Sequence, residues 1–391
     1  MKVLYIHNDY HQWSGEENAS QEIANLLQVH GHEVLWFKRT SKGLEKDRLK
    51  KVTALFSGVY NFAIRSKLNE VLKAYNPDIA IVQNIYPLIS SSIFGILRRN
   101  NIPVVMRCPN YRLFCPNGLC LNPQGEVCER CMGKGHEWHC VWNNCEMSIP
   151  KSVGYAVRNA FNRITGLIYK GVDCFVVQSE FQKEKFMVQG IPESQIGILS
   201  GILPQVESMT DVPLGDWVSF VGRVSKEKGI DEFIEAAKML PTIPFKVVGK
   251  IDENYRMPEM PSNIELVGFK QGHELNEMFQ MSRIVVVPSK WYEGFPNVIL
   301  HAMLMKRPVV TTNIGAMTSI VDDKVNGLLV EPGDTLGLKD AIASLYGDRE
   351  MCAKLGSSGY EKAIKEYSRE SIYHDLMGIF QQAIKNHQMR N

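Results

Sequence analysis

The sequence predicts an α/β protein made of two doubly wound halves, each built on a parallel sheet. The chain has 391 residues, which is too long for one ordinary core and suits two domains. Short β-rich runs alternate with helical patterns along almost the whole chain, and this order builds parallel sheets. Between two such series, residues 200–215 show neither a helical nor a strand period.

The first half opens with a β-loop-α-β unit. Lys2–His7 is a predicted strand, and a helical pattern begins at Glu16 and Glu17. Gly31 ends that pattern, and EVLWF follows as the next strand. The remaining elements of this half are buried strands and one helix, at Asp78–Gln83, Pro103–Arg107, Asp173–Gln178 and near Ser90–Arg99.

The second half repeats the alternation. Its predicted strands are Trp217–Gly222, Phe245–Val248, Ile264–Val267, Ile284–Pro288, Pro308–Thr312 and Gly327–Val330, and its helices fall at 229–240, 272–282, 297–306 and 335–346. In chain order, the expected parts are an N-terminal domain (1–199) with a cysteine-rich insert (108–145), a linker (200–216), a C-terminal domain (217–367) and a terminal helix (368–391) that can pack back on the N-terminal domain.

Composition excludes several classes of protein. The chain is 45% hydrophobic and 22% charged, as is normal for a soluble globular protein, and its net charge of +2 indicates no nucleic-acid partner. No apolar run reaches the length of a membrane span. The start of the chain alternates like a strand and lacks the pattern of a signal peptide, so we expect a cytoplasmic protein.

Two segments of the second half predict a phosphate site. In Val221–Asp231, a strand ends and Arg223 and Lys228 follow, two side chains that suit phosphate oxygens, although a solvated surface turn is the simpler interpretation of this fragment alone. In the second segment, EGFPN, the strand before it ends at Pro288 and a helix begins near Pro296. Free N–H groups at a helix N-terminus bind anions, so the nearby acid is expected to contact a neutral hydroxylated group carried by the phosphate, as in a nucleotide-sugar.

With these segments, the chain resembles the retaining GT-B glycosyltransferases of family 4, the glycosyl transferases group 1. The resemblance covers nearly the whole chain and is strongest over Trp217–Gly333, through VGRVSKEKGID, PSKWYEGFPNVILHAMLMKRPVVTTNIGA and VNGLLVEPGD. In the first half, WSGEENA resembles the Gly-rich loop near the transferred sugar. The resemblance implies two Rossmann-like doubly wound domains facing across a cleft.

The resemblance also implies roles for individual residues. Arg223 and Lys228 would hold the donor diphosphate, and Glu293 would contact hydroxyls of the transferred sugar. Gly15 would let the first domain close on the donor. The remaining donor-binding positions would line the sugar–phosphate junction (Gly294, Phe295, Asn297 and Val298) or lie near the nucleobase (Phe269 and Lys270).

The implied reaction is transfer of a hexose-like sugar with retention at the anomeric carbon, as in bacterial cell-surface polysaccharide synthesis. The usual account is front-face attack in which the departing phosphate oxygen takes the acceptor proton, so no strong protein base is required. The chain has no Asp-x-Asp pair. Arg, Lys and a helix N-terminus can neutralise the leaving diphosphate instead, and we expect no catalytic metal.

Three positions depart from the family pattern. His301 stands where a glutamate normally holds the ribose hydroxyls; its imidazole can accept one hydrogen bond and donate one, or merely pack under the helix. Pro109 replaces a histidine near the transferred sugar, for which His7 and His11 are candidate substitutes. Ser319 replaces a common glutamate. These losses leave a second hypothesis open, a weak or inactive protein that binds a nucleotide-sugar or glycan without turnover.

Seven of the nine cysteines lie between Cys108 and Cys145. The family resemblance includes a Cys-containing insert of this kind. A C-x2-C pair with further Cys and His nearby fits a structural zinc site, although reduced thiols, or disulfides in an oxidising compartment, also fit. The four ligands of choice are Cys115, Cys128, Cys131 and Cys140, with Cys120, Cys145, His136 and His139 as alternatives.

One basic stretch of the chain bears on the acceptor. Residues 38–73 hold ten Lys or Arg against three acids, interleaved with apolar residues. Such a stretch suits an anionic membrane surface or a lipid phosphate, but also a helix with one buried and one solvated face. A glycan or a lipid-linked acceptor, met at the inner face of the plasma membrane, is therefore a hypothesis.

Overall fold

The computed structural model describes residues 1–9, 15–40, 57–205 and 213–390. The chain forms two compact units. Unit 1 comprises Met1–Pro123, Cys128–Ser200 and Ile372–Asn391, and unit 2 comprises Gln124–Val127 and Gly201–Ser371. His11, residues 41–56 of the basic stretch and residues 206–212 of the predicted linker lie outside the described residues.

Unit 1 is built on a six-stranded parallel sheet in the order β2-β1-β3-β4-β5-β6. Four of its strands, β1, β3, β4 and β5, are buried along nearly their whole length, as continuous Val/Ile runs predict for a sheet covered on both faces. The strands are Lys2–Asp9 (β1), Glu33–Thr40 (β2), Ile79–Val82 (β3), Val104–Arg107 (β4), Cys174–Val177 (β5) and Ile196–Ile198 (β6).

The helices of unit 1 connect these strands. They are Gly15–Val29 (α1), Ile64–Tyr75 (α2), Ser92–Arg99 (α3), His139–Trp142 (α4), Ile149–Thr165 (α5), Leu167–Gly171 (α6) and Glu180–Val188 (α7). Among the described residues, no helix is both long and apolar enough to cross a bilayer.

Unit 2 has the same architecture, with a parallel sheet in the order β12-β11-β10-β7-β8-β9. Its strands are Trp217–Val221 (β7), Phe245–Val248 (β8), Ile264–Gly268 (β9), Ser282–Val287 (β10), Val309–Thr312 (β11) and Gly327–Val330 (β12). Its helices are Ile230–Lys238 (α8), Gly272–Gln280 (α9), Asn297–Leu304 (α10), Met317–Ile320 (α11), Thr335–Gly347 (α12) and Arg349–Tyr367 (α13).

The last helix, Arg369–Arg390 (α14), packs on unit 1 through its residues 372–390. Asn386 donates its side-chain amide to the carbonyl oxygens of Asp173 and Ser194, at 2.9 and 2.8 Å. The ring of His387 lies 3.0 Å from the Asp173 carboxylate. These buried polar contacts fix the tail against the start of β5.

Most predicted elements are present, and the differences have local causes. Helix α8 begins at Ile230 because Gly229 has φ of 75°, a left-handed conformation outside the helical range. Strand β6 has only three residues, too few to show a period of two. Several helices, among them α5, α7 and α13, were not among the predicted elements.

Candidate functional site

The candidate site of unit 2 lies where the strand order reverses, between β7 and β10. From β7 the sheet continues through β8 to β9, and from β10 it continues through β11 to β12. In open parallel sheets, ligands bind at the carboxyl ends of the strands at such a switch point. The two loops that start there hold Gly222–Gly229 and Pro288–Pro296, which are the two segments selected from sequence.

Lys228 and Glu293 form an ion pair across this switch point. The ammonium Nζ of Lys228 lies 2.7 Å from each carboxylate oxygen of Glu293. Glu293 is buried, with 6% of its surface exposed, and its Oε1 also accepts a hydrogen bond from the hydroxyl of Ser289. The structure therefore brings two of the three predicted catalytic residues into direct contact.

The environment keeps Glu293 ionised. Burial alone would raise its pKa, but the charge of Lys228 and the hydrogen bonds from Lys228 and Ser289 outweigh burial and lower the pKa below the ordinary value of 4.5. At neutral pH the carboxylate can only accept hydrogen bonds, which suits contact with hydroxyl groups.

A close backbone contact holds the two loops together. Gly229 adopts φ of 75°, and a Cβ built on it would lie 1.9 Å from the carbonyl oxygen of Pro288. Only glycine permits this approach, which sets Lys228 beside the loop that follows β10. Sequence reasoning treated Gly229 as a helix start and missed this second role, since the contact joins residues that are distant in the chain.

Helix α10 begins at the edge of this site. Pro296 precedes its first residue, Asn297, and the N–H of Ile299 donates to the carbonyl oxygen of Pro296 at 2.9 Å. The first N–H groups of a helix have no intrahelical acceptor, so those of Asn297 and Val298 are directed out of the helix end. These N–H groups give the start of α10 a positively polarised edge.

A pocket of about 530 Å³, open to solvent, connects these features. Ser289 and Gly222 line it, and neither was predicted. Ser289 could have been found because it follows the strand of the EGFPN segment directly. The full lining is Phe220, Val221, Gly222, Lys228, Val287, Ser289, Glu293, Phe295, Pro296, Asn297 and Val298.

Three residues that were predicted to contact the nucleotide-sugar donor lie away from this pocket. The Arg223 guanidinium is 49% exposed and pairs with Glu227 at 2.6 Å and Asp252 at 3.0 Å. Phe269 is 66% exposed just after β9, an edge strand, and the neighbouring Lys270 pairs with the exposed carboxylate of Glu274. In this structure none of the three lines the pocket that holds the Lys228–Glu293 pair.

His301 lies one helical turn beyond Asn297 on α10. Its ring centroid is 4.8 Å from that of Phe279, at an interplanar angle of 31°. Burial lowers the pKa of His301 to about 4, so the imidazole is neutral at physiological pH. The His301 ring packs against Phe279, as expected if it only packs under the helix, and a contact with the ribose stays a prediction.

Comparison with known proteins identifies a family match in the part of the chain that contains Lys228 and Glu293. Residues 216–362 match the family described as glycosyl transferases group 1. A solved structure, that of Anabaena HepE in complex with UDP, is 16% identical and aligns over 97% of this chain and 100% of that chain with a TM-score of 0.64. The fold is GT-B.

Two curated relatives show how far the likeness extends. An uncharacterised 42.6 kDa protein in the cps region of Klebsiella pneumoniae is 24% identical, over 81% of this chain and 77% of its own length. The capsular polysaccharide biosynthesis glycosyltransferase CapM of Staphylococcus aureus is 26% identical, over 43% of this chain and 46% of its own length. The chain therefore spans under half of CapM, and the family match is confined to residues 216–362.

The first unit of this GT-B fold has its own polar pocket, of about 360 Å³, at the carboxyl ends of β3 and β4. Arg107, only 4% exposed, donates to Gln83 Oε1 at 2.7 Å, and the hydroxyl of Tyr5 donates to the same oxygen. Pro109 lines this pocket. Gly15 begins α1, where an added Cβ would meet no atom within 4 Å.

His7 does not line this pocket, and its role as a substitute for the missing histidine stays a prediction. It is 1% exposed at the end of β1, and among the described residues neither ring nitrogen has a hydrogen-bond partner. Burial lowers its pKa, against the opposing charges of Glu16 and Asp9, so the ring is buried and neutral. The third departure, Ser319, accepts a hydrogen bond from Lys362 through its carbonyl oxygen.

The cysteine insert contains two sets of thiol contacts. Hydrogen bonds from Cys120 and Cys131 lower the pKa of Cys115 well below its usual range, and a hydrogen bond from Cys140 lowers that of Cys145. Cys128 meets the cluster through its backbone N–H, which donates to the Cys120 carbonyl oxygen at 2.8 Å. Within the described ranges, no group of three or more His, Cys, Asp or Glu side chains stands in an arrangement that could hold a metal ion.

Proposed function

We propose that this protein is a retaining glycosyltransferase that moves a sugar from a nucleotide-diphosphate donor to a glycan or lipid-linked acceptor. The Lys228–Glu293 pair carries the proposal, because it stands at the sheet switch point beside the N-terminus of α10. A diphosphate needs cationic donors, and the sugar attached to it needs hydroxyl acceptors. This pocket offers a cationic donor, Lys228, in direct contact with a hydroxyl acceptor, Glu293.

The donor would share Lys228 with Glu293. An ammonium group has three N–H donors. The two contacts of Lys228 with the carboxylate oxygens of Glu293 use two of them. A diphosphate oxygen can take the third donor, and the N–H groups of Asn297 and Val298 can take another oxygen. Glu293 then keeps free lone pairs for sugar hydroxyls. Arg223 would join them by leaving Glu227 and Asp252.

The reaction would break the bond between the anomeric carbon and the diphosphate oxygen. The acceptor oxygen would bond to the same face of that carbon, which gives retention, and its proton would pass to the departing phosphate oxygen. Lys228 and the helix N-terminus stabilise the negative charge that develops on that oxygen. Glu293 orients the sugar and does not need to gain a proton.

The comparisons suggest which substrates to test first. HepE was solved with UDP, and CapM acts in capsular polysaccharide biosynthesis. We extend both to this chain as a proposal, with UDP-sugars as the first donors and a cell-surface polysaccharide or glycoconjugate as the product. The proposed place of action is the cytoplasmic side of the plasma membrane.

The role of His301 can be separated from packing. As a neutral imidazole it can donate one hydrogen bond to a ribose hydroxyl and accept another. Substitution His301→Ala then weakens nucleotide binding, whereas Phe279→Leu, on the opposite side of the contact, leaves the ribose partner in place. Equal nucleotide affinity in wild type and His301→Ala would assign the ring to packing.

Zinc in the cysteine insert stays a prediction. The insert is short of aliphatic residues, and a structural metal would cross-link it, because thiolate coordination adds directly to folding free energy. Elemental analysis of the purified protein, with thiols kept reduced, decides the matter. Stoichiometric zinc that is lost on Cys115→Ser supports it, and metal-free protein with reduced cysteines ends it.

The proposed activity is tested with a panel of UDP-, GDP- and dTDP-sugars, by following release of the nucleoside diphosphate. Glu293→Gln should reduce turnover by about 10²–10³-fold, the usual effect of losing one group that acts in the transition state. Glu232→Gln is the matched control, because Glu232 forms the other Lys–Glu contact of this region, with Lys290 at 2.7 Å. Equal loss in both variants would refute the assignment.

The alternative function is binding without turnover. It is favoured by Pro109, which supplies no polar group to the pocket of unit 1, and by His301, which is neutral and packed. Tight binding of a nucleoside diphosphate with no release of product from any donor, in the presence of candidate acceptors, would establish this alternative.

A further inference from the structure

Helix α5 exposes apolar side chains and buries polar ones, the reverse of an ordinary surface helix. Its outward face is apolar, with Ile149 51%, Val157 38% and Ile164 74% exposed. Its inward face is small or polar, and the buried residues are Ser152, Gly154, Ala156, Arg158, Asn159, Ala160 and Asn162. A surface helix normally buries its apolar stripe and exposes its polar one.

Hydrogen bonds fix this orientation. Arg158 Nη2 donates to the carbonyl oxygen of Pro116 at 2.7 Å, and Asn159 Nδ2 donates to that of Arg112 at 3.0 Å. Asn162 Nδ2 donates to the hydroxyl of Tyr86 at 2.7 Å. Turning the helix to bury its apolar stripe would leave these buried polar groups unpaired, at a cost of about 1–3 kcal/mol for each neutral group and more for the Arg158 charge.

The apolar surface continues beyond the helix. Trp142, 75% exposed, belongs to α4, which packs against α5. Phe62, 81% exposed, packs at a tilted angle against Tyr60, whose ring also contacts Phe161 of α5. We call this surface the apolar patch, and its members are Phe62, Trp138, Trp142, Met147, Ile149, Val153, Val157 and Ile164.

The charges around the patch are mainly basic. Helix α5 contains no acidic residue, and Lys151 is exposed on it between the apolar side chains. Arg65 and Lys67 are exposed shortly after Phe62.

We propose that the apolar patch seats unit 1 on an anionic lipid surface. Exposed tryptophans beside aliphatic side chains suit the boundary between headgroups and acyl chains, and neighbouring lysines and arginines add attraction to anionic lipids. A docking surface for a second copy would pair charges of both signs around its rim, whereas this rim has mostly one sign. Binding to lipid does not depend on the proposed function; only its consequence, that a lipid-linked acceptor would be met there, rests on it.

The test is sedimentation of the full chain, without donor or acceptor, with two kinds of vesicle. One is phosphatidylcholine alone, and the other is an equal mixture of phosphatidylcholine and phosphatidylglycerol. The patch variant carries Trp142→Ser and Ile164→Ser. The matched control carries Val29→Ser and Val188→Ser, which remove side chains that are 80% and 81% exposed elsewhere on unit 1.

Wild type and the control should bind the anionic vesicles, and the patch variant should bind about tenfold or more weakly. Lys151→Glu should weaken binding to the anionic vesicles alone, and added salt should weaken it further. Thermal unfolding of each variant checks that the fold is kept. Equal binding by patch variant and control overturns the proposal, as does a dimer in solution that dissociates in the patch variant.

Discussion

At the scale of residues, Lys228 and Glu293 form an ion pair in which each side chain compensates the charge of the other. A carboxylate with 6% exposure is costly unless it is paired and hydrogen-bonded, and here Lys228 and Ser289 provide both. The pair stays at the edge of an open pocket, where a ligand can share its groups. Lys290 and Glu232 make a contact of similar length without lining that pocket, so distance alone does not mark function.

The ionisation of Glu293 makes a pH prediction. Because its folded-state pKa lies below 4.5, its ion pair stabilises the fold fully above that pH, and this contribution is lost as the pH falls through the folded value. Glu293→Gln should therefore lower the free energy of unfolding by about 1–3 kcal/mol at pH 7, and by progressively less below pH 4.5. Urea unfolding at several pH values checks this, and a difference that is the same at pH 7 and in strong acid would contradict it.

His301 makes a prediction in a different pH window. Its pKa falls from 6.5 to about 4 on folding, so the unfolded chain binds a proton that the folded chain refuses between these values. Wild type should lose roughly 3 kcal/mol more than His301→Leu between pH 6.5 and 4, at about 1.36 kcal/mol per pKa unit. Parallel stability curves for the two proteins would show that the ring is solvated.

At the scale of elements, the site depends on how the loops after β7 and β10 meet. The Gly229–Pro288 contact holds the first loop, and α13 holds α10 from behind, where a Cβ on Gly356 would lie 2.2 Å from the carbonyl oxygen of Lys306. Both contacts require glycine because backbone meets backbone. The position of the ion pair is thus set by packing outside it.

Gly229→Ala tests this arrangement. The substitution adds a Cβ in a left-handed conformation and against a carbonyl oxygen at 1.9 Å, so we expect a loss of about 2 kcal/mol or more in unfolding free energy, together with weaker donor binding. Gly347→Ala at the end of α12 is the control, since its Cβ would meet nothing within 4 Å. Equal stability of the two variants would show that the loop can move away from Pro288.

The sequence predicted the elements better than the contacts between them. Val/Ile runs such as Ile284–Pro288 identified nearly every strand, and the segments at strand ends identified the site, because parallel sheets place ligands there. The orientation of α5 could not be predicted, since hydrogen bonds to Arg112 and Pro116 override its apolar pattern. Nor could spacing show that Cys115 contacts Cys120 and Cys131.

At the scale of the whole molecule, the two units have the same architecture and different pockets. In unit 2 the pocket combines a helix N-terminus with Lys228 and Glu293, and in unit 1 the pocket centres on Arg107 and Gln83. The GT-B fold accounts for this division, with donor chemistry proposed for the second unit. The tail residues 372–390 return to complete unit 1.

Asn386→Ala tests how much the tail contributes to unit 1. The substitution leaves the buried carbonyl oxygen of Asp173 without this donor, which should cost about 1–3 kcal/mol of unfolding free energy. Gln382→Ala is the control, because Gln382 donates to Ser194 from a more exposed position and should cost under about 0.5 kcal/mol. If both variants unfold at the same urea concentration as wild type, the helix is not a stabilising part of unit 1.

The central claim, that the pocket beside Lys228 holds a nucleotide diphosphate, is tested most directly by calorimetric titration. UDP, GDP and dTDP are each compared with the matching monophosphate, in wild type, in Lys228→Ala and in Lys290→Ala. Wild type and Lys290→Ala should prefer one diphosphate over its monophosphate, and Lys228→Ala should lose about tenfold to hundredfold in diphosphate affinity, as expected for one charge-assisted hydrogen bond. Full diphosphate preference in Lys228→Ala, or no diphosphate binding by wild type, would contradict the account.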